Sequence, residues 1–147
     1  MWRLFKMKRK VRARASRVTK HYLENKEAAR ELVLARLEHF NQHYKQTWKR
    51  VAIRNQRRRW GSCTSLKNLN FNYKILLLPP HLRDYIIVHE LCHLVELNHG
   101  QNFWALVAEV IPDYKNHVSE LKEIDKGGNS VGHLLKVQVG YGDLPPV

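Results

Sequence analysis

The chain counts 147 residues, 44% of them apolar, with four Trp and a formal net charge of +13, the size of one domain with a modest core. No stretch approaches the roughly 18 apolar residues of a membrane span, and Met1 to Lys10 lacks the apolar run of a secretory signal, so a cytoplasmic protein without a membrane partner is expected. Two cysteines, Cys63 and Cys92, are too few for a disulfide framework and read as reduced, buried, small apolar residues.

Nine Lys or Arg fall between Arg3 and Lys20 with no acid among them. Residues 1–20 therefore read as a solvated basic arm, whose charge also suits nucleic acid through counterion release. From Tyr22 to Tyr44, Ala29, Leu32, Val33, Leu37, Phe40 and Tyr44 recur at helical intervals opposite Glu27, Arg30, Glu31 and Arg36, predicting a long amphipathic helix. His39 and His43 on it, four apart but without an intervening Glu or a third partner, read as exposed polar positions rather than ligands. Trp48 to Asn55 alternates as a half-buried strand does and leads into a turn rich in arginine, Arg54, Arg57, Arg58 and Arg59, ahead of Trp60 and Gly61.

A second strand is expected near Ser62, a hairpin tip at Lys67-Asn68, and a third strand over Leu69 to Leu78 with Phe71, Tyr73 and Ile75 on one side. Pro79-Pro80 ends that strand and opens a helix whose apolar stripe, Leu82, Tyr85 and Ile86, runs into His89 and His93. This helix is expected to stop near Asn98, a residue tolerated in left-handed backbone, with Gly100 helping the turn. Two further helices follow, Asn102 to Val110 and one ending near Ile124, with Phe103 and Trp104 assigned to core packing; residues 127–147 read as a tail. The order of elements predicts an α+β domain over residues 21–126 with a small antiparallel sheet.

The stretch His89-Glu90-Leu91-Cys92-His93, with His99 six residues further on, carries the chemistry. On a helix, residues four apart lie one above the other, so His89 and His93 project toward one point, and His99 is the expected third metal ligand. Three protein ligands leave the fourth position of Zn²⁺ to water. Glu90 is turned about 100° from His89 and flanks the ligand face, the position of a general base rather than a ligand. A polar pair of imidazoles on a core-directed stripe needs a partner, and a shared metal supplies it.

Arg59-Trp60-Gly61-Ser62-Cys63, Asn70-Phe71-Asn72, Pro79, Asp84-Tyr85, His89 to His93, Asn98-His99-Gly100, Phe103-Trp104 and Pro112-Asp113-Tyr114 together resemble the YgjP-like zinc metallopeptidases, kin of the SprT-like proteases. The resemblance spans about Tyr22 to Ile124. It implies a zincin-like fold in which His89, His93 and His99 hold zinc and Glu90 acts in catalysis on a protein or peptide substrate. Members of the family usually carry a longer β region where this chain has its basic segment, and commonly Ser where it has Gly100. The metzincin pattern does not fit: Glu96 stands where those enzymes have Gly, and the two methionines, Met1 and Met7, leave none for a downstream Met-turn. Glu109 and Glu120 are more distant alternatives to His99 as third ligand.

Metal-assisted peptide hydrolysis is thus the leading expectation, with Tyr85, Arg57 and Arg59 as candidate oxyanion donors. A zinc-dependent nucleotide pyrophosphatase, its arginines holding a triphosphate, is the rival enzyme, although the chain has no glycine-rich phosphate loop. A nucleic-acid-associated adaptor with a structural zinc is the rival outside catalysis, and Glu90 argues against it, since a structural site needs no base.

Overall fold

Thr19 caps the first helix: its hydroxyl accepts the backbone N–H of Tyr22 at 3.1 Å, satisfying one of the donors that a helix start leaves unpaired. The structure, a computed structural model, describes residues 18–126. Helix α1, Lys20–Tyr44, ends where Lys45 takes left-handed backbone and donates its N–H to the carbonyl of Asn41. Ala29, Val33 and Leu37, four apart, are fully buried, and Leu32 and Phe40 are half-buried beside them, the one-sided face that the periodicity predicts. Polar contacts along the helix then fasten it to a strand. The Tyr22 hydroxyl donates to the carbonyl of Ile53 at 2.9 Å, and Arg30 donates to that of Val51 at 3.2 Å.

Three strands follow: β1, Arg50–Arg54; β2, Gly61–Cys63; and β3, Asn68–Asn72. The hairpin tip at Lys67 is present, with Lys67 in left-handed backbone and its N–H bonded to the Thr64 carbonyl. The sheet order is β1-β3-β2, with β3 antiparallel to β2 but parallel to β1. The expected all-antiparallel sheet is therefore a mixed one. The hairpin places β3 in the centre, and the Arg-rich segment crosses over its C-terminal end to join the two outer strands.

That crossing also explains why β3 stops at Asn72 and not at Leu78. Arg54 is the last residue of β1 to pair and Gly61 the first of β2, so beyond Asn72 the backbone has no strand to bond. It turns instead into a 3₁₀ helix, Tyr73–Leu77, whose start is capped by the Asn72 side chain accepting the N–H of Lys74.

Pro79-Pro80 opens helix α2, Pro80–Cys92. The predicted stripe is buried, but so are Ile87, Val88, Glu90 and Leu91, so α2 is a central helix covered on nearly every side. Arg36 of α1 holds it by a two-pronged pair to Asp84, at 2.8 and 3.0 Å. The helix ends at Cys92, short of Asn98, through tightened bonds from Leu94 N–H to the Leu91 carbonyl and from Val95 N–H to that of Cys92, which also accepts the N–H of Glu96 at ordinary helical spacing. Asn98 is not left-handed, because Lys45 and Lys67 are the non-glycine residues with positive φ among those described, whereas Gly100 does lie at a bend of the chain. It is the extended residue that starts helix α3, Gln101–Val110. Helix α4, Tyr114–Lys126, closes the described chain. None of the described helices is long and apolar enough to cross a membrane.

A candidate metal centre

His89 sits in the last turn of α2, and His93 follows the helix with φ −66° and ψ −17°, still helical, so both rings face the same way. The short loop after α2 brings His99 back to them. The three Nε2 atoms form a nearly equilateral triangle, 3.1 Å from His89 to His93, 3.0 Å from His93 to His99 and 3.1 Å from His99 to His89. A tetrahedral ion with bonds of about 2.0–2.1 Å spaces its ligand atoms about 3.3 Å apart, so the triangle has the size that a zinc-like ion requires. Mutual hydrogen bonds do not account for it, because each Nε2 either donates or accepts and three such atoms in a ring always leave two alike. The Nδ1–H of His93 is donated to the Glu96 carbonyl at 2.9 Å, which leaves its Nε2 with a bare lone pair. Burial, reinforced by the two neighbouring imidazoles, pushes His89 down to about 3, and burial also lowers His93, so these rings stay neutral and able to bind a metal.

The cluster has an aromatic wall made of residues whose spacing in the sequence points only to core packing. Phe103 of α3 is fully buried, stacks on His93 with centroids 4.4 Å apart and meets His89 and His99 edge-on. Trp104 stacks on His99 and on Tyr114 of α4. Their spacing after His99 was a visible signal, but nothing in it distinguishes packing on a core from packing on ligands. Tyr85 reaches His89 from behind, its hydroxyl 3.1 Å from Nδ1. It therefore contacts the nitrogen opposite the triangle, a place for orienting the ring rather than for donating to an oxyanion. Such partners fix ring orientation and tautomer in metal sites generally.

Glu90 turns away from that wall toward the sheet. It is 5% exposed, and its Oε2 is buried without a hydrogen-bond partner. Burial raises its pKa to about 8, against the pull of the Arg59 guanidinium. Gly61 explains how the carboxylate fits: a Cβ at that position would lie 2.9 Å from Glu90 Cγ and 3.0 Å from its Oε1. The Arg-Trp-Gly motif thus lies directly against the candidate base, a juxtaposition that local sequence does not reveal.

The remaining candidates sort cleanly. Glu109 is bonded to His43 at 2.8 Å and Glu120 to His81 at 2.8 Å, and among the described residues the triad of His89, His93 and His99 is the group arranged to hold an ion. Cys63 and Cys92 are both free thiols. Burial pushes each up to about 11, which keeps them protonated and poor nucleophiles. Cys92 is buried as expected, Cys63 only partly.

A helix that bears one of three clustered histidines and has a second at its C-cap, backed by a small mixed sheet and a long helix, defines a zincin-like α+β metallopeptidase fold. The crystal structure of the metallopeptidase zymogen of Pyrococcus abyssi abylysin is similar, with a TM-score of 0.55 and 24% identity over 64% of this chain and 93% of that one. The metallopeptidase zymogen of Methanocaldococcus jannaschii jannalysin is also similar, at 24% identity over 67% of this chain and 95% of that one, with a TM-score of 0.49. No curated protein matches. The sequence profile of the YgjP-like metallopeptidase domain matches residues 4–124, reaching further toward the N-terminus than the motifs by themselves do. The chain belongs to the YgjP-like metallopeptidase family.

Proposed function

We propose that the protein is a zinc-dependent peptidase in which His89, His93 and His99 hold the ion and Glu90 is the general base. The observation that carries this reading is the buried, unpartnered oxygen of Glu90, one residue from a ligand of the histidine triangle. A buried acceptor without a partner is costly, and it is relieved when a water or substrate enters the site. Zinc, when bound, supplies a Lewis acid that makes water nucleophilic at neutral pH and polarises a peptide carbonyl. Glu90 then takes the proton of the attacking water at its free oxygen. The same carboxyl then returns that proton to the departing amine. Phe103 and Trp104 pack on the imidazoles of His93 and His99, and Tyr85 and the Glu96 carbonyl hold the rings of His89 and His93 in place.

Purified protein is expected to carry about one zinc per chain and to cleave casein or a quenched fluorescent peptide. Glu90→Gln is expected to keep the metal, measured by plasma mass spectrometry, and to lose about 10²–10⁴-fold in turnover. Wild-type rates in that variant, or protein that binds no zinc, sink the reading. Nucleoside triphosphates assayed beside the peptide separate it from a pyrophosphatase.

A further inference from the structure

The segment between β1 and β2 is unusually well anchored for a loop. Asn72, 3% exposed, donates its Nδ2 to the carbonyls of Gln56 at 2.8 Å and Arg59 at 2.9 Å, and its backbone N–H to that of Trp60. Lys74, also buried, donates Nζ to the Gln56 carbonyl at 3.0 Å. From the other side the Trp60 indole N–H reaches Asp125 of α4 at 3.2 Å. Its backbone is thus held from beneath and at its end, while the side chains of Arg57, Arg58 and Arg59 are exposed. Arg30 and Arg36 have Glu27 and Asp84 as ion-pair partners. These three arginines have no carboxylate within ion-pair distance among the described residues. Two residues past Arg59, Gly61 lies against Glu90, and Arg59 is near enough for the Glu90 carboxylate to feel its charge.

We propose that Arg57, Arg58 and Arg59 form a cationic rim beside the metal centre that selects peptide substrates carrying acidic side chains next to the scissile bond, an inference that rests on the peptidase reading above. An anchored backbone spares the ordering of a loop when a peptide binds, and the planar fork of each guanidinium matches a carboxylate in two places. The length of the rim fits a peptide. Three residues span at most about 10 Å, which a bound extended peptide covers in about three residues at roughly 3.3 Å each. A nucleic-acid track that neutralises about 6–10 phosphates is longer than this rim.

The test uses the zinc-loaded full chain and quenched fluorescent peptides of one sequence that differ only in carrying Glu, Gln or Lys on both sides of the cleaved bond. The expected kcat/KM is about tenfold higher for Glu than for Gln and lowest for Lys, and the Glu-to-Gln ratio falls toward one in about 0.5 M NaCl. The ratio is also expected to fall toward one in R57S/R58S/R59S, and the single variant R58E provides the same comparison with less disturbance to folding. Equal rates for Glu and Gln in the parent, or a ratio that survives the triple substitution, overturn the proposal. Equal rates together with salt-sensitive binding of single-stranded RNA that the triple variant loses also overturn it and assign the rim to nucleic acid. Absence of any cleavage removes the peptidase reading and this inference with it, whereas cleavage without acid preference removes only the inference.

Discussion

Gly61 stands where no side chain fits. A methyl group there meets Glu90 Cγ at 2.9 Å and the Asn70 carbonyl at 3.2 Å; the backbone cannot easily yield, so the carboxylate must. Misplacement of a catalytic group by about 1 Å costs about a hundredfold in rate. Gly61→Ala is accordingly expected to lower kcat by about two orders of magnitude while the zinc content stays that of the parent, because the atoms nearest to the added methyl belong to Glu90 and Asn70 and not to a histidine. Parent-like kcat in Gly61→Ala would show that Glu90 has room to spare. Gly100 contrasts with it, since a Cβ there meets nothing within 4 Å, which accommodates the serine that the family resemblance associates with this position.

The elements differ in what they carry. Helix α1 contributes no metal ligand, yet its buried face supports α2, and the Arg36 to Asp84 pair ties the two together. Removing a fully buried leucine from such a face costs the transfer of its atoms plus the cavity left behind, about 2–5 kcal/mol. Leu37→Ala is expected to lose that much in denaturant unfolding, whereas Leu34→Ala, on the 41% exposed side, is expected to change stability by less than about 0.5 kcal/mol. Similar losses at both positions would mean that α1 packs differently from the arrangement described. The strands show the limit of reading elements from periodicity. Alternation marks β1 and the start of β3, but the end of β3 is set by the edges of its neighbours and not by its own residues.

At the scale of the whole molecule, the three imidazoles join the end of α2 to the loop before α3, so an ion there acts as a cross-link, and a ligand bound only by the folded chain stabilises it by mass action. In the metal-free protein the site's own groups set an opposing pH dependence. His89 has a pKa of about 3 folded and an ordinary value of 6.5, so below about pH 6.5 the unfolded chain binds more protons and stability falls with acid. Glu90 has a pKa of about 8 folded and an ordinary value of 4.5, so the folded chain holds the extra proton between those values and stability falls as pH rises through them. The two terms offset one another between about pH 4.5 and 6.5, and His93, whose pKa burial also lowers, adds a further loss with acid there, so the balance favours the upper end of that window. Metal-free protein is therefore expected to melt highest in that window, with zinc raising the melting temperature most near neutral pH, where imidazoles need not lose protons to bind. Calorimetry with and without chelator across pH checks it; a zinc increment that grows as pH falls contradicts it.

The sequence by itself determined the long first helix, the paired prolines ahead of the second, the hairpin tip and the trio His89, His93 and His99, because each is written in local spacing: 3.6-residue periods, turn residues and the four-residue interval of helical neighbours. Only the tertiary structure decided that β1 runs parallel to β3, that Phe103 and Trp104 line the imidazoles, that Tyr85 meets His89 on its far nitrogen and that Gly61 lies against Glu90. Those contacts join residues whose neighbourhood comes from the packing of whole elements, and no short-range pattern in a single chain records which face of one element meets which face of another.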